Sequence, residues 1–131
     1  MNKELINKLI QHAKKATENA FCPSSGVPEG CSLLVEGSVI FSGCNIEFST
    51  LSSSLDAGQV AMAKAISEGE NRFITMCLYS EKTMPYPSGT LLQLLSEFNP
   101  NIGIIVASDE TFTVHSLHEL LPIRRLVGVE D

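Results

Sequence analysis

Residues 73–79 read FITMCLY, and residues 102–106 read IGIIV. Neither run alternates between apolar and polar side chains, which is typical of strands buried on both faces of a sheet. Between them, residues 91–98 place leucines and a phenylalanine at helical spacing, and Asn99-Pro100 predicts the end of that helix. A helix between two buried strands predicts a parallel crossover within one sheet.

The flanking segments extend this pattern in both directions. Residues 31–35 and 39–46 predict a hairpin, because a short turn containing Gly37 joins two strand-like runs. The other predicted elements are a helix over residues 2–20, a helix over 55–68, a strand over 111–115, and a helical turn over 116–121 followed by a tail. The predicted fold is therefore a single α/β domain over residues 1–131, a three-layer α/β/α sandwich with a five-stranded mixed sheet.

Composition excludes several classes of function. The chain has 131 residues with 15 acidic and 9 basic side chains, a net charge of -6, which argues against a nucleic-acid surface. No apolar run reaches the roughly 18 residues that span a bilayer. Charges throughout residues 1–20 argue against a signal peptide, so we expect a cytoplasmic protein with reduced thiols at Cys22, Cys31, Cys44 and Cys77.

Four segments carry a resemblance to a known family. They are Gly43-Cys44-Asn45-Ile46-Glu47, residues 61–69 (AMAKAISEG), Pro87-x-Gly89 followed by Gln93-Leu94, and Glu119-Leu120-Leu121-Pro122. In this order and at this spacing, the chain resembles the small homotetrameric cytidine deaminases over nearly its whole length. The resemblance implies one zinc ion held by three cysteines, a zinc-bound water, and a glutamate that transfers protons.

The positions that carry this chemistry are replaced here. Aligned on the quoted segments, the three zinc-ligand positions hold Asp56, Ser88 and Leu91, and the glutamate position holds Gly58. A neutral serine hydroxyl is a poor zinc ligand and leucine is none, so we predict that zinc is absent. Loss of the proton-transferring group alone should slow catalysis by roughly 10²–10⁴. At two positions where the resemblance implies an arginine, this sequence has Gln59 and Leu92.

Asp56 and Ser88 stand where two helices should begin. Both are good N-cap residues, and simple capping is the first interpretation. A second interpretation is that the two helix N-termini hold an anion such as phosphate. A third is a new hydrolytic site that uses Asp56 as a base.

Three further positions are candidate ligand contacts. The resemblance implies that Asn45 and Glu47 bind ribose hydroxyls, and an amide with a carboxylate suits a diol. They are equally compatible with ordinary polar residues at a strand end. The family phenylalanine that packs on the nucleoside corresponds to Val27.

Other reactive side chains gave weaker signals. His115 and His118 form an H-x-x-H pair without a third ligand nearby, which favours surface histidines. Cys31 and Cys44 are expected to pack as small apolar residues unless they lie directly opposite each other. Cys22 is the candidate for a reactive thiol.

The expected function is therefore a catalytically inactive, zinc-free relative of cytidine deaminases. It would bind a nucleoside-like ligand or pair with a partner subunit, and the resemblance implies a homo-oligomer, either a tetramer or a dimer. The alternative is a cytidine deaminase or another nucleoside-acting hydrolase with a rebuilt active site.

Overall fold

Five strands form one mixed sheet in the computed structural model, which describes residues 1–123. In chain order they are β1 (Glu29–Val35), β2 (Val39–Cys44), β3 (Phe73–Ser80), β4 (Gly103–Ala107) and β5 (Phe112–Ser116). Their order across the sheet is β2-β1-β3-β4-β5. Only the β3–β4 pair is parallel among these strands, and it is the pair that the two apolar runs predicted.

Helices cover both faces of the sheet. They are α1 (Lys3–Ala16), α2 (Ala57–Ser67), α3 (Gly89–Phe98) and the short α4 (Leu117–Leu120). The amphipathic helix α1 buries Ile6 and Leu9 against one face, beside Cys77 and Ile105. Helices α2, α3 and α4 bury their apolar side chains in a second core on the opposite face. The predicted three-layer sandwich with five strands is confirmed.

The observed boundaries differ from the predicted ones where local pairing intervenes. The first helix stops at Ala16 and gives way to a 3-10 turn at Thr17–Asn19. Helix α2 begins at Ala57 rather than at residue 55, because Leu55 exchanges backbone hydrogen bonds with Ile46. Most of the predicted tail lies outside the described residues.

The same pairing brings distant segments together at one end of the sheet. Ile46 lies just after β2 and bridges both Phe21 and Leu55. The loop after α1, the end of β2 and the start of α2 therefore meet at one place. None of the helices within residues 1–123 is long and apolar enough to cross a membrane.

Candidate functional site

A cleft of about 380 Å³ lies where α2 and α3 begin. Its lining residues are Glu29, Asn45, Glu47, Ser52, Ser54, Leu55, Asp56, Gln59, Ser88 and Thr90. The structure thus brings together four of the candidate residues from the sequence, namely Asn45, Glu47, Asp56 and Ser88. The cleft is rich in carboxylates, amides and hydroxyls, which are groups that hydrogen-bond to polar ligands.

Asp56 is the N-cap of α2. Its Oδ1 accepts a hydrogen bond of 2.7 Å from the backbone N–H of Gln59, and the Gln59 side chain accepts one of 3.0 Å from the Asp56 N–H. This reciprocal pair is a capping box, which satisfies two backbone donors at the helix start. The position where the resemblance places an arginine is therefore occupied by a glutamine with a local structural role.

Ser88 is the N-cap of α3 and also connects the two helices. Its Oγ accepts a 3.1 Å hydrogen bond from the Leu91 N–H, and its hydroxyl hydrogen-bonds to the Asp56 carboxylate. Burial raises the pKa of Asp56, although the bonds from Gln59, Ser88 and Gly58 oppose the rise. The negative charge that helix N-termini favour is therefore supplied by the protein's own carboxylate.

Leu91 fills the space beside Gly58. Its side chain is 1% exposed and belongs to the core between the helices and the sheet. A Cβ added at Gly58 would lie 2.5 Å from Leu91 Cδ2 and 3.2 Å from the Met76 sulfur. Because real Cβ atoms do not come that close to a carbon, no larger side chain fits at Gly58 unless Leu91 moves.

The side chains present do not fit a zinc ion at the position that the resemblance implies. Leu91 has no donor atom, and the oxygens of Asp56 and Ser88 already serve the two helix starts. Within residues 1–123, no group of three or more His, Cys, Asp or Glu side chains could hold a metal ion. Leu92, at the second arginine position, is 5% exposed and packs in the same core.

Asn45 is nearly buried at the base of the cleft, 7% exposed. Its Oδ1 accepts a 2.9 Å hydrogen bond from the Glu29 N–H, and its Nδ2 donates one of 2.9 Å to the Val27 carbonyl. Both polar ends of this side chain therefore hold the entry to β1.

Glu47 is a partly buried residue that lines the same cleft. One carboxylate oxygen, Oε1, accepts hydrogen bonds of 3.0 and 2.9 Å from the N–H groups of Ser24 and Ser25. These bonds lower the pKa of Glu47, so the side chain is a carboxylate at neutral pH. The loop after α1 is thereby tied to the end of β2.

Glu29 is a cleft residue that the sequence analysis missed. It opens β1, and its half-buried carboxyl has a raised pKa because of burial first, then the charges of Asp56 and Glu47. A single glutamate beside a proline gives no periodic signal. Its place at the cleft follows from long-range hydrogen bonds between the Glu29 backbone and Asn45, which no local pattern encodes.

Val27 lines a different cleft from the other candidates. That cleft, about 630 Å³, lies on the α1 side and also includes Lys14, Tyr79 and Asp109. Lys14 Nζ lies 3.2 Å from Asp109 Oδ1, and the Tyr79 hydroxyl donates to the same oxygen. Grouping Val27 with Asn45 and Glu47 at one surface remains a prediction that this geometry does not favour.

The remaining reactive side chains have local partners. His115 contacts Thr113 Oγ1 through Nε2 at 2.8 Å and Glu119 Oε2 through Nδ1 at 2.9 Å. Cys31 lies opposite Gly43 rather than Cys44, and all four cysteines are free thiols. Desolvation, with the nearby Glu47 charge, raises the pKa of Cys22 and disfavours its thiolate.

Comparison with known proteins finds similarity to cytidine deaminases. Residues 3–91 match the family model described as cytidine and deoxycytidylate deaminase zinc-binding region. The chain is 38% identical to a cytidine deaminase of Sporosarcina psychrophila over 94 residues, 71% of this chain and 69% of that protein. It is 32% identical to a probable cytidine deaminase of Dictyostelium discoideum over 124 residues, 93% of this chain and 84% of that protein.

Solved structures of cytidine deaminases share the fold of this chain. The cytidine deaminase from Burkholderia pseudomallei superposes with a TM-score of 0.87 at 25% identity, over 95% of this chain and all of that one. The cytidine deaminase from Mycobacterium leprae superposes with a TM-score of 0.78 over 90% of this chain and 98% of that one.

Proposed function

We propose that this chain, which belongs to the cytidine and deoxycytidylate deaminase family, is a zinc-independent protein that binds a nucleoside-like ligand and does not deaminate cytidine. The observation that carries the proposal is the contact between Leu91 and Gly58. A buried leucine fills the space beside the glycine, at the positions where the resemblance implies a metal ligand and the proton-transferring glutamate.

The chemistry of deamination explains why these replacements matter. Hydrolytic deamination needs a nucleophilic water and a group that moves its proton to the leaving amine. Gly58 has no side chain to carry a proton. Asp56 is held by Gln59 and Ser88 at the start of α2, where it acts as a cap.

The cleft nevertheless has the chemistry of a binding site for a hydroxylated ligand. Asn45 and Glu47 lie beside the hydroxyls of Ser52, Ser54 and Thr90. Carboxylate and hydroxyl groups together can satisfy both the donors and the acceptors of a sugar. This supports retention of a nucleoside-like ligand, although the metal-ligand positions are replaced.

The alternative function is an active cytidine deaminase, or another hydrolase that acts on nucleosides. The names of the relatives favour this alternative, since the similar proteins in both comparisons are described as cytidine deaminases. In the structure, its best support is the Asp56 carboxyl, which lines the cleft and has a raised pKa. A base of that kind would act on a bound water rather than through a metal.

Self-association is part of the proposal. Phe21, Phe48 and Leu51 are 56%, 47% and 64% exposed and lie on the segments that surround the cleft. Apolar side chains grouped at a surface favour burial against another chain. A homodimer or homotetramer would cover them, which light scattering coupled to size-exclusion chromatography can measure.

Two assays on the purified chain distinguish the proposed binding function from the hydrolase. Incubation with cytidine should release no uridine, whereas thermal melting against a nucleoside panel should show stabilisation by at least one member. A ligand at 100 times its Kd adds about 2.7 kcal/mol to the free energy of unfolding. Uridine formation that disappears in Asp56→Ala would establish the hydrolase, and a flat panel would argue against ligand binding.

A further inference from the structure

We propose that Thr113, His115 and Glu119 form a second reactive site, in which the threonine hydroxyl attacks the carbonyl carbon of an activated ester and the imidazole takes the hydroxyl proton. The three residues line neither the cleft at the starts of α2 and α3 nor the cleft on the α1 side. The test of this site is therefore independent of the proposed function.

The order of residues 113–119 brings the three side chains together. Thr113 and His115 are two positions apart in β5, so their side chains lie on the same face of the sheet. Helix α4 begins at Leu117, directly after the strand, and Ser116 caps it by accepting a 3.2 Å hydrogen bond from the Glu119 N–H. The turn into the helix thereby places the Glu119 carboxylate beside the His115 ring.

The hydrogen bonds of this cluster determine the position of its protons. His115 Nδ1 lies 2.9 Å from Glu119 Oε2, and His115 Nε2 lies 2.8 Å from Thr113 Oγ1. The hydrogen bond with His115 lowers the pKa of Glu119, so this side chain is a carboxylate at neutral pH and can only accept. In a neutral imidazole the proton is therefore on Nδ1, and the lone pair of Nε2 accepts a hydrogen bond from the threonine hydroxyl.

A hydroxyl, an imidazole and a carboxylate in this order perform acyl transfer on several unrelated folds. In the proposed reaction a bond forms between Thr113 Oγ1 and the ester carbonyl carbon while His115 Nε2 takes the hydroxyl proton. The bond from that carbon to the alcohol oxygen then breaks, and the proton passes to the departing alcohol. Water attacks the acyl-threonine with the same imidazole as base, which releases the carboxylic acid and restores the hydroxyl.

The surroundings of the cluster favour an aryl ester as the substrate. The His115 side chain is 17% exposed and the Glu119 side chain 59%, so the cluster is open to solvent on one side. Tyr86 is 59% exposed, and its ring lies 6.1 Å from the His115 imidazole, centroid to centroid, at an interplanar angle of 62°. An aromatic leaving group can pack against this ring beside the imidazole.

The experiment treats the purified full chain with p-nitrophenyl acetate. Release of p-nitrophenolate is followed by absorbance, and acetylation of each peptide is measured by mass spectrometry after an acid quench. Thr113→Val removes the hydroxyl, Thr113→Ser keeps one, and His115→Gln removes the base. His118→Gln and Thr111→Val are matched controls at exposed positions nearby. Thermal melting shows whether each variant is folded.

Wild type should acquire an acetyl group on Thr113, and Thr113→Ser should acquire one at the same position, whereas Thr113→Val should not. His115→Gln should slow the reaction by about 10²–10⁴-fold, the usual contribution of a general base. His118→Gln and Thr111→Val should react like wild type. If acetyl-threonine is hydrolysed faster than it forms, the same ranking should appear in p-nitrophenolate release. Release that is unchanged in Thr113→Val, or acetylation of Thr113 that is unchanged in His115→Gln, would overturn the proposal.

The tautomer of the imidazole gives a second readout. In proton–nitrogen correlation spectra at a pH where histidine rings are neutral, His115 should carry its proton on Nδ1, with its signals assigned by their loss in His115→Gln. Glu119→Gln should increase the Nε2–H form and slow the reaction of Thr113 by at least about tenfold, whereas Glu110→Gln should change neither. A neutral ring protonated on Nε2 in wild type would contradict the proposal, because that nitrogen could not take the hydroxyl proton.

Discussion

Gly58 and Leu91 form a matched pair at the positions where the resemblance implies a proton-transferring glutamate and a metal ligand. A Cβ at Gly58 would lie 2.5 Å and 2.9 Å from the two terminal methyl carbons of Leu91. Each residue is therefore tolerated because of the other. A glutamate placed at Gly58 alone would therefore force a carboxylate into a filled core.

The first prediction follows from this fit. Gly58→Glu should lower the free energy of unfolding by about 1–3 kcal/mol, as overpacking of a core does. Leu91→Ala, which opens a cavity, should cost about 2–5 kcal/mol. The double variant should lose less than the sum of the two, because the alanine makes room for the new side chain. Urea denaturation measures all three, and strictly additive losses would show that the two side chains do not share this space.

Glu29 gives a prediction about pH. Its folded-state pKa is raised by burial and by Asp56 and Glu47, so the ionised form is less favourable in the folded chain than in the unfolded one. Its contribution to stability is therefore present below the ordinary glutamate pKa of 4.5 and is lost as pH rises through the raised value.

Glu29→Gln should accordingly be more stable than wild type at pH 7, and this gain should shrink as pH falls through the raised pKa of Glu29 and be gone below 4.5. Denaturation of both proteins across this pH range measures the difference. Glu110→Gln, at an exposed turn position, is the control and should show no such trend. A gain that grew on acidification would mean that the sign of the shift at Glu29 is wrong.

The sequence predicted the two helix caps but not the long-range contacts of the cleft residues. Asp56 and Ser88 were identified as caps, and both caps are present. The bonds from Asn45 to Val27 and Glu29 span 18 and 16 positions of the sequence, and no local pattern encodes such a contact.

The starts of α2 and α3 lie next to each other and are both capped by side chains. The Asp56 carboxylate and the Ser88 hydroxyl each accept a backbone N–H, and they hydrogen-bond to each other. Two helices are thus joined through their caps. Both caps line the cleft.

Two variants of Asp56 distinguish the effect of its capping oxygen from the effect of its charge. Asp56→Ala should cost about 1 kcal/mol, within the usual 0.5–2 kcal/mol for loss of a cap. Asp56→Asn keeps the capping oxygen, so its unfolding free energy should stay close to that of wild type. Equal losses in both variants would show that the charge, and not the cap, is what the helix start requires.

Elements were predicted best where the pattern is local and strong. The buried runs became β3 and β4, and Gly69, with φ +87°, ends the α2 region as expected of a C-terminal glycine. The starts of α2 and β1 were displaced by two residues each, because bridges at Leu55 and pairing at Glu29 depend on distant segments. Such pairings are decided by the tertiary fold rather than by propensity.

The charged side chains that line the cleft are all acidic. Glu29, Glu47 and Asp56 line it, and no Lys, Arg or His does so within the described part of the chain. The full sequence also carries a net charge of -6. Anionic ligands should therefore be disfavoured.

Cytidine 5′-monophosphate should bind at least about tenfold more weakly than cytidine, because like charges about 10 Å apart repel by about 1–2 kcal/mol at an effective dielectric constant near 20. Calorimetry at low and high salt tests this. The difference should narrow at high salt and also in Glu29→Gln. Tighter binding of the phosphate would place a cationic group at the cleft that the described residues do not supply.

The order of the layers could be predicted from the sequence. The separation of the cleft at the starts of α2 and α3 from the cleft on the α1 side could not. Alternating strands and helices determine the sandwich. Val27 and Glu29 differ by two positions yet line different clefts. Asn45 and Ser80 hold the backbone between these clefts through hydrogen bonds to the carbonyls of Val27 and Pro28. Only the assembled sheet reveals that separation.

We propose that this family member functions without zinc. The most direct measurement is the zinc content of the full chain after incubation with excess zinc chloride and desalting, determined by mass spectrometry of the metal. We predict far less than one zinc ion per chain, because Leu91 supplies no donor and Asp56 and Ser88 cap helices. About one tightly held zinc ion per chain would contradict this proposal.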